Sequence, residues 1–485
     1  MLHAGQDETE LPMAEVASTP EGASAMESAA SWARFTFVVL FAMNLLDYTD
    51  RWVLSAVLPN IQKTFAIDNF WGGMLTTFFL ISYSVISPVM GWLGDRTRRT
   101  WLLGLGVGVW SLATLGTGLA RNYNDLVLAR SFLGIGEATY GVLAPTILMD
   151  LFARSKRARV MSGFYVAMPV GGALGLGLGG YIASIWGWRA SFFLVGAPGL
   201  LAAFAALLLP EPVRGSSEGV DVKRLKSHEK AGATKEDYLD LMVNSSYTYS
   251  VFGMAMYTFA IGGLGVWLPK FLMYTRGIAP VTATTVLGIV TALAAIVGMS
   301  VGGWLADRLA RTNPRALFVV PGVAMLASIP FILIALSAKV PAVIFVAVFL
   351  AEMLMFINTG PCNAVIANVV APNMRAVAFA VAVFAVHFLG DIWSPPLMGK
   401  VADLFGAQDT MASWIGKGLK AIGAVPVPGE DGRPQNMVAG LLIVVPMVLL
   451  SGIVLLAGAR HIPREMALML AKLKAAPPNE PNQAV

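Results

Sequence analysis

The sequence predicts an all-α, polytopic membrane protein with twelve transmembrane helices in two six-helix halves. Composition is the first reason. Of 485 residues, 56% are hydrophobic and 13% charged, against about 25% charged in a soluble domain of this size. Mean hydropathy is +0.68. The second reason is a series of apolar segments, each near the roughly 20 residues that cross a bilayer. The third is a nine-residue motif that returns at half-length. Lipid cannot satisfy exposed backbone polar groups, so the apolar segments must cross as helices.

The first six segments are Arg34–Leu58, Phe70–Leu93, Trp101–Ala120, Asp125–Asp150, Val160–Ser184 and Ala190–Leu209. The second six are Tyr247–Tyr274, Val281–Asp307, Ala316–Ser337, Pro341–Ala367, Ala376–Asp403 and Met437–Ala459. With the N-terminus inside, the cytoplasmic segments hold 22 Lys and Arg residues and the outer ones 8. That asymmetry predicts both termini in the cytoplasm of a cell whose inner membrane holds the protein. The chain then divides into a disordered cytoplasmic tail (1–31), a first six-helix half (32–210), a cytoplasmic linker (211–246), a second half (247–464) and a second tail (465–485). In the outer loop 404–436, Met411, Trp414, Ile415, Leu419 and Ile422 recur at helical spacing, which predicts a short interfacial helix.

The repeat joins Gly91-Trp-Leu-Gly-Asp-Arg-Thr-Arg-Arg99 to Gly303-Trp-Leu-Ala-Asp-Arg-Leu-Ala-Arg311. The two copies end the second and eighth segments, 212 residues apart, and six of nine positions agree. Glu137 with Pro145 is echoed more weakly by Glu352 with Pro361. Two parallel halves with a site between them at mid-membrane follow from this.

The Gly-x-Leu-x-Asp-Arg-x-x-Arg element resembles the signature loop of the major facilitator superfamily. Arg130-Ser-Phe-Leu-Gly-Ile-Gly-Glu137 resembles its fourth-helix motif, and Trp186-Gly-Trp-Arg-Ala-Ser-Phe192 resembles the start of its sixth helix. Asn44-Leu-Leu-Asp-Tyr-Thr-Asp-Arg51 is similar to the first helix of Spinster-type transporters. The resemblance covers nearly the whole chain. It implies proton-linked secondary transport of a lysophospholipid-like or sphingoid-phosphate-like cargo. It also implies a cytoplasmic gate at Gly91, Asp95, Arg96, Arg99, Arg130, Asp307 and Arg308, whose charges latch the halves when that side is closed.

Charged residues inside the spans carry the chemistry. A charge at the bilayer centre costs about 2.5–3.5 kcal/mol on insertion scales, so it needs a partner or a watery cavity. Asp47 and Arg51 are spaced i, i+4 and can pair, whereas Asp50, adjacent to Arg51, points elsewhere. Glu137 lies about 18 Å into the fourth segment at 1.5 Å per residue, on one stripe with Arg130, Gly134 and Gly141. We read Asp50 and Glu137 as proton-coupling acids with Arg51 as their switchable partner. Substrate-binding candidates are Arg51, Glu137, Glu352, His387 and Asp391, the last two again i, i+4. Met254, Phe259, Trp267, Met355 and Phe356 are the apolar candidates for a second-half cavity.

Other classes fit poorly. One cysteine, Cys362, and four histidines leave no disulfide and no zinc cluster. No nucleophile motif marks an enzyme, so no catalytic residue, metal or cofactor is expected. The glycine-rich run Pro169–Gly180 lacks the Lys-Ser/Thr ending of a phosphate loop and reads as close helix packing. The net charge of +5 reflects loop positives, with no nucleic-acid partner. The expected partners are an amphipathic small molecule, protons and membrane lipid, with the chain acting as a monomer. The alternative cargo is a soluble organic anion or drug-like compound, clamped by Arg51. The charge count makes a direct prediction. Protease applied outside right-side-out cells leaves the linker 211–246 uncut, and cleavage there would reverse the topology.

Overall fold

The computed structural model describes residues 20–152, 154–212, 241–370, 374–430 and 432–475. Most of the two expected tails' outer ends, and the linker from 213 to 240, lie outside the described residues. Eleven helices among the described residues are long and apolar enough to cross a membrane. The first helix, Pro20–Phe65, is not one of them, because Asp47, Asp50 and Arg51 interrupt its apolar run. It nonetheless lies at the centre of the bundle, with Leu40, Met43, Val53, Val57, Leu58 and Ile61 fully buried. It is therefore the first span. It begins at Pro20, within the stretch 1–31 expected to be a disordered tail.

Spans two to six are Asn69–Arg96, Arg99–Leu119, Tyr123–Leu151, Arg159–Trp186 and Trp188–Leu207. Spans seven to twelve are Ser245–Thr275, Pro280–Ala310, Ala316–Ser337, Pro341–Val369, Val377–Leu404 and Met437–Gly458. Several are broken, with helix ends at Phe356, Leu389 and Leu441. Pro361 and Pro395, just past two of the breaks, supply no N–H to the preceding turn.

The packing repeats as the sequence does. Spans one and five, two and four, three and four, three and six, and one and six pack together, and each pairing recurs six spans later. Between the halves the main contacts are again a symmetric pair, span two with eleven and span five with eight. Both involve the ends opposite the arginine-rich loops. Glycine allows the close approach there. A Cβ on Gly73 would sit 2.5 Å from the Pro395 carbonyl carbon, and one on Gly288 would sit 2.9 Å from the Ala173 oxygen. The halves are thus sealed on that far side. On the arginine-rich side, Asp95, Arg96, Asp307 and Arg308 are exposed. Each motif copy also repeats a local contact, with Arg96 over the Trp92 ring at 4.2 Å and Arg308 over Trp304 at 5.5 Å.

Two of the expected gate residues sit elsewhere. Arg130 is seven residues into span four from its far-side start, about 10 Å along the helix, and is 2% exposed. It lines the cavity between the halves on the far-side part of span four and is remote from the arginine-rich end, because span four runs from the far side toward the arginine loops. Arg99 is a clamp within the first half. Its guanidinium reaches Asp150 at 2.6 Å, Glu211 at 2.9 Å and the Pro212 carbonyl at 3.1 Å. It ties the start of span three to the ends of spans four and six.

In loop 404–436, helices Gln408–Ala412 and Trp414–Ala421 precede a two-stranded hairpin pairing Val427–Pro428 with Pro434–Gln435. The expected apolar face is split, since Met411 and Leu419 are buried while Trp414, Ile415 and Ile422 are exposed.

Glu211 accepts the Thr100 backbone N–H at 2.9 Å at the start of span three. Burial pushes its carboxyl up, but the Thr100 N–H, the Arg99 guanidinium and the Thr100 hydroxyl outweigh it and hold the group below the ordinary 4.5. A lowered folded-state value gives stability that is full above pH 4.5 and lost as pH falls through that lowered value. Glu211→Gln should therefore cost about 1 kcal/mol in detergent melts. That deficit should hold from neutral pH down to 4.5 and shrink below it.

Candidate functional site

Between the halves at mid-membrane lies a cavity of about 410 Å³. Span one supplies its charged wall, because its central turns are the point where the apolar run gives way to Asp47, Asp50 and Arg51. Span four packs closely on span two through Gly134, where a Cβ would strike Ser82 Oγ and the Phe79 carbonyl. The same stripe then directs Glu137 and Arg130 at span one.

Arg51 is the hub. Its Nε donates to Glu137 Oε2 at 2.6 Å, and its Nη2 lies 3.5 Å from Asp47 Oδ2. The rings of Tyr48, Phe79 and Tyr83 surround the guanidinium at 5.0–5.2 Å, adding cation–π attraction. Asp47 and Glu137 thus meet the same guanidinium.

Asp50 turns the other way. It accepts from the Thr114 hydroxyl of span three and faces Arg130. One carboxylate oxygen on each of Asp47, Asp50 and Glu137, and both Nε and Nη2 of Arg130, make no hydrogen bond among the described residues. The cluster is therefore two linked arms, Arg51 with Glu137 and Asp47, and Arg130 with Asp50 and Thr114.

Arg51 and Arg130 line the cavity, whereas Asp47, Asp50 and Glu137 stand behind them, each 0–2% exposed. Glu137, expected to touch substrate, does not reach the cavity wall, since the arginines cover it. From span eleven, His387 and Asp391 do line the cavity and pair at 2.9 Å. His387 also lies within electrostatic range of Arg51. Glu352 is 4% exposed and off the wall, beside Thr291, which does line it.

The rest of the second-half wall is largely apolar, with Ile261, Val266, Ala295, Met299 and Phe356. Of the five apolar residues expected there, only Phe356 lines the cavity. Phe259, Trp267 and Met355 are buried in the second-half core, and Met254 packs against it.

The Major Facilitator Superfamily model matches residues 40–395. The Drosophila melanogaster protein spinster is 33% identical over 382 residues, covering 76% of this chain and 62% of its own length. Bos taurus protein spinster homolog 1 is 34% identical over 75% of this chain and 72% of its own. The chain belongs to the Spinster family of the major facilitator superfamily.

The fold agrees. A crystal structure of a bacterial homolog to the human lysosomal transporter Spinster, inward-facing and unoccupied, superposes with a TM-score of 0.77 at 22% identity, over 90% of this chain and 98% of that one. A Spinster-type transporter of the superfamily is not an enzyme, and it takes a small-molecule substrate.

Sequence reasoning found Arg51, Glu137, His387 and Asp391 through their charge inside apolar runs. It left Asp47 out of the candidate set, although the i, i+4 spacing to Arg51 marked it. It also missed Lys270, Glu430, Asn69 and Asp403 on the far side, treated below.

Proposed function

We infer that the protein is a proton-coupled secondary transporter of an amphipathic anion, working by alternating access. One observation carries this reading: two arginines on the cavity wall backed by three buried acids. Fully ionised, Asp47, Asp50, Glu137, Arg51 and Arg130 sum to one formal negative charge. Three carboxylates packed around two arginines repel one another, and a proton on one of them relieves that repulsion. One proton balances the cluster.

The exchange follows from the geometry. With the acids ionised, Arg51 is drawn back onto Glu137 and Asp47. With one acid protonated, the guanidinium has less to hold it and can turn to a phosphate or carboxylate in the cavity, which it binds in bidentate fashion. Arg130, with two nitrogens unengaged, supports the same head group. The apolar second-half wall suits a tail. This asymmetry favours a lysolipid-like or sphingoid-phosphate-like cargo over a uniformly polar metabolite.

Lys and Arg bias puts the arginine-rich side in the cytoplasm, with both termini there and the protein in the cell membrane. The cavity then opens inward in this conformation. The exposed Asp95, Arg96, Asp307 and Arg308 form the latch of the opposite one. The two six-helix halves joined by the linker are the moving bodies, and the monomer is the working unit.

The expected outcomes separate the roles. Glu137→Gln and Asp50→Asn keep cargo binding but lose accumulation driven by a pH gradient in proteoliposomes. Arg51→Ala weakens binding of the anionic cargo about 10- to 100-fold, the scale of a lost charge-assisted bond, and leaves uncharged analogues little affected. Gradient-driven uptake with normal pH dependence in both carboxyl variants would make those acids structural. Preferred uptake of a compact organic anion over a lysolipid would assign the cargo to the polar alternative.

A further inference from the structure

The far side of the molecule holds a second buried charge cluster, which the transport mechanism above leaves unused. Lys270, near the end of span seven, is 2% exposed. Its ammonium donates to Asn69 Oδ1 at 2.6 Å and to Gln62 Oε1 at 2.8 Å, and lies 2.8 Å from Glu430 Oε2. Glu430 comes from the hairpin of loop 404–436, and its side chain is 3% exposed.

Asn69 opens span two, directly after its cap Asp68. It is fully committed. Its oxygen receives Lys270 and the Gln62 amide at 3.1 Å, and its amide nitrogen donates to Asp403 at 2.5 Å and to Gln435 at 2.9 Å. The next backbone N–H, that of Phe70, donates to Asp403 at 3.1 Å. Gln62, Asn69 and Phe70 belong to the first half. Lys270, Asp403, Glu430 and Gln435 belong to the second. Every bond across the interface here has a neutral first-half partner, and the Lys270–Glu430 ion pair lies wholly in the second half.

We propose that Asn69 and Lys270 are the far-side gate residues of the transport cycle, with Glu430 as the counter-ion that keeps the Lys270 charge paired when the gate parts. Separating the halves on this side breaks hydrogen bonds to Asn69, Gln62 and Phe70 but leaves Lys270 paired with Glu430, while the half-buried Asp403 exchanges its Asn69 and Phe70 donors for water. That is the condition for a buried lock that must open repeatedly, since a buried charge stripped of its partner is strongly penalised. A lock made of an ion pair across the interface would pay that penalty in every cycle. The hairpin of loop 404–436 is then the arm that carries the counter-ion. Positioning by Asn69 sets how readily the cavity opens to the far side, separately from how cargo and proton bind at Arg51.

The test reads the gate directly in purified protein. Spin labels at Arg121→Cys and Lys339→Cys, both exposed in far-side loops of opposite halves, in a Cys362→Ser background, report the far-side separation by pulsed electron resonance. The parent should show mainly the short distance. Asn69→Ala and Lys270→Met should each raise the long-distance population about 5- to 10-fold, the scale of one or two hydrogen bonds. The double variant should add little to either, because both remove the same contact.

Lys270→Arg, which keeps charge and donors, should restore most of the short population. Glu430→Gln should raise the long population less than Asn69→Ala, because its contact stays within one half. An unchanged distribution in Asn69→Ala, or equal opening in Glu430→Gln, would overturn the proposal. The distances are read without cargo or pH gradient, so failure here leaves the coupling mechanism at Arg51 standing, and the reverse also holds.

Discussion

The bond from Arg51 to Glu137 is the constraint on which the rest of the site depends. Two guanidiniums and three carboxyls inside the membrane are costly wherever they lack partners. The fold meets that cost by packing. Gly134 brings span four against span two, the aromatic rings of Tyr48, Phe79 and Tyr83 close around the cation, and Thr114 takes up Asp50. The site is left with one acid more than it has cations. That imbalance is what the proposed proton coupling at Arg51 rests on.

The two ends of the molecule solve different problems with the same currency. At mid-membrane, acids and arginines are mixed and several of their atoms make no hydrogen bond among the described residues. On the far side, the Lys270–Glu430 ion pair lies within one half, and the neutral Gln62, Asn69 and Phe70 meet Lys270 and Asp403 across the interface. On the arginine-rich side, the twin motifs keep each arginine stacked on the tryptophan four residues before it. The repeat in sequence is thus a repeat in local contact, and the pairings between spans follow it around the whole bundle.

Much of this was legible in the residues. Apolar length set the spans, and the 212-residue repeat set the two-fold plan. Helical spacing joined Asp47 to Arg51 and His387 to Asp391, and turned Asp50 away. What stayed hidden has physical causes. Arg130 was grouped with the gate, although its depth along span four places it near the cavity. Glu137 and Glu352 were expected on the cavity wall, but spacing along one helix does not say which neighbour covers a side chain. Lys270 and Glu430 are 160 residues apart. Glu430 sits in a polar loop, so only the tertiary fold makes it a buried counter-ion.

The central claim is that the acids behind Arg51 and an anionic cargo compete for the same guanidinium. Proton exchange on binding tests it most directly. Purified protein in weak buffer with a pH indicator, titrated with a lysolipid or sphingoid phosphate at near-neutral pH, should take up protons as cargo draws Arg51 away from Glu137 and Asp47. Glu137→Gln should bind the same cargo with much smaller uptake. Cargo binding to the parent with no net proton exchange across the pH range would contradict the account.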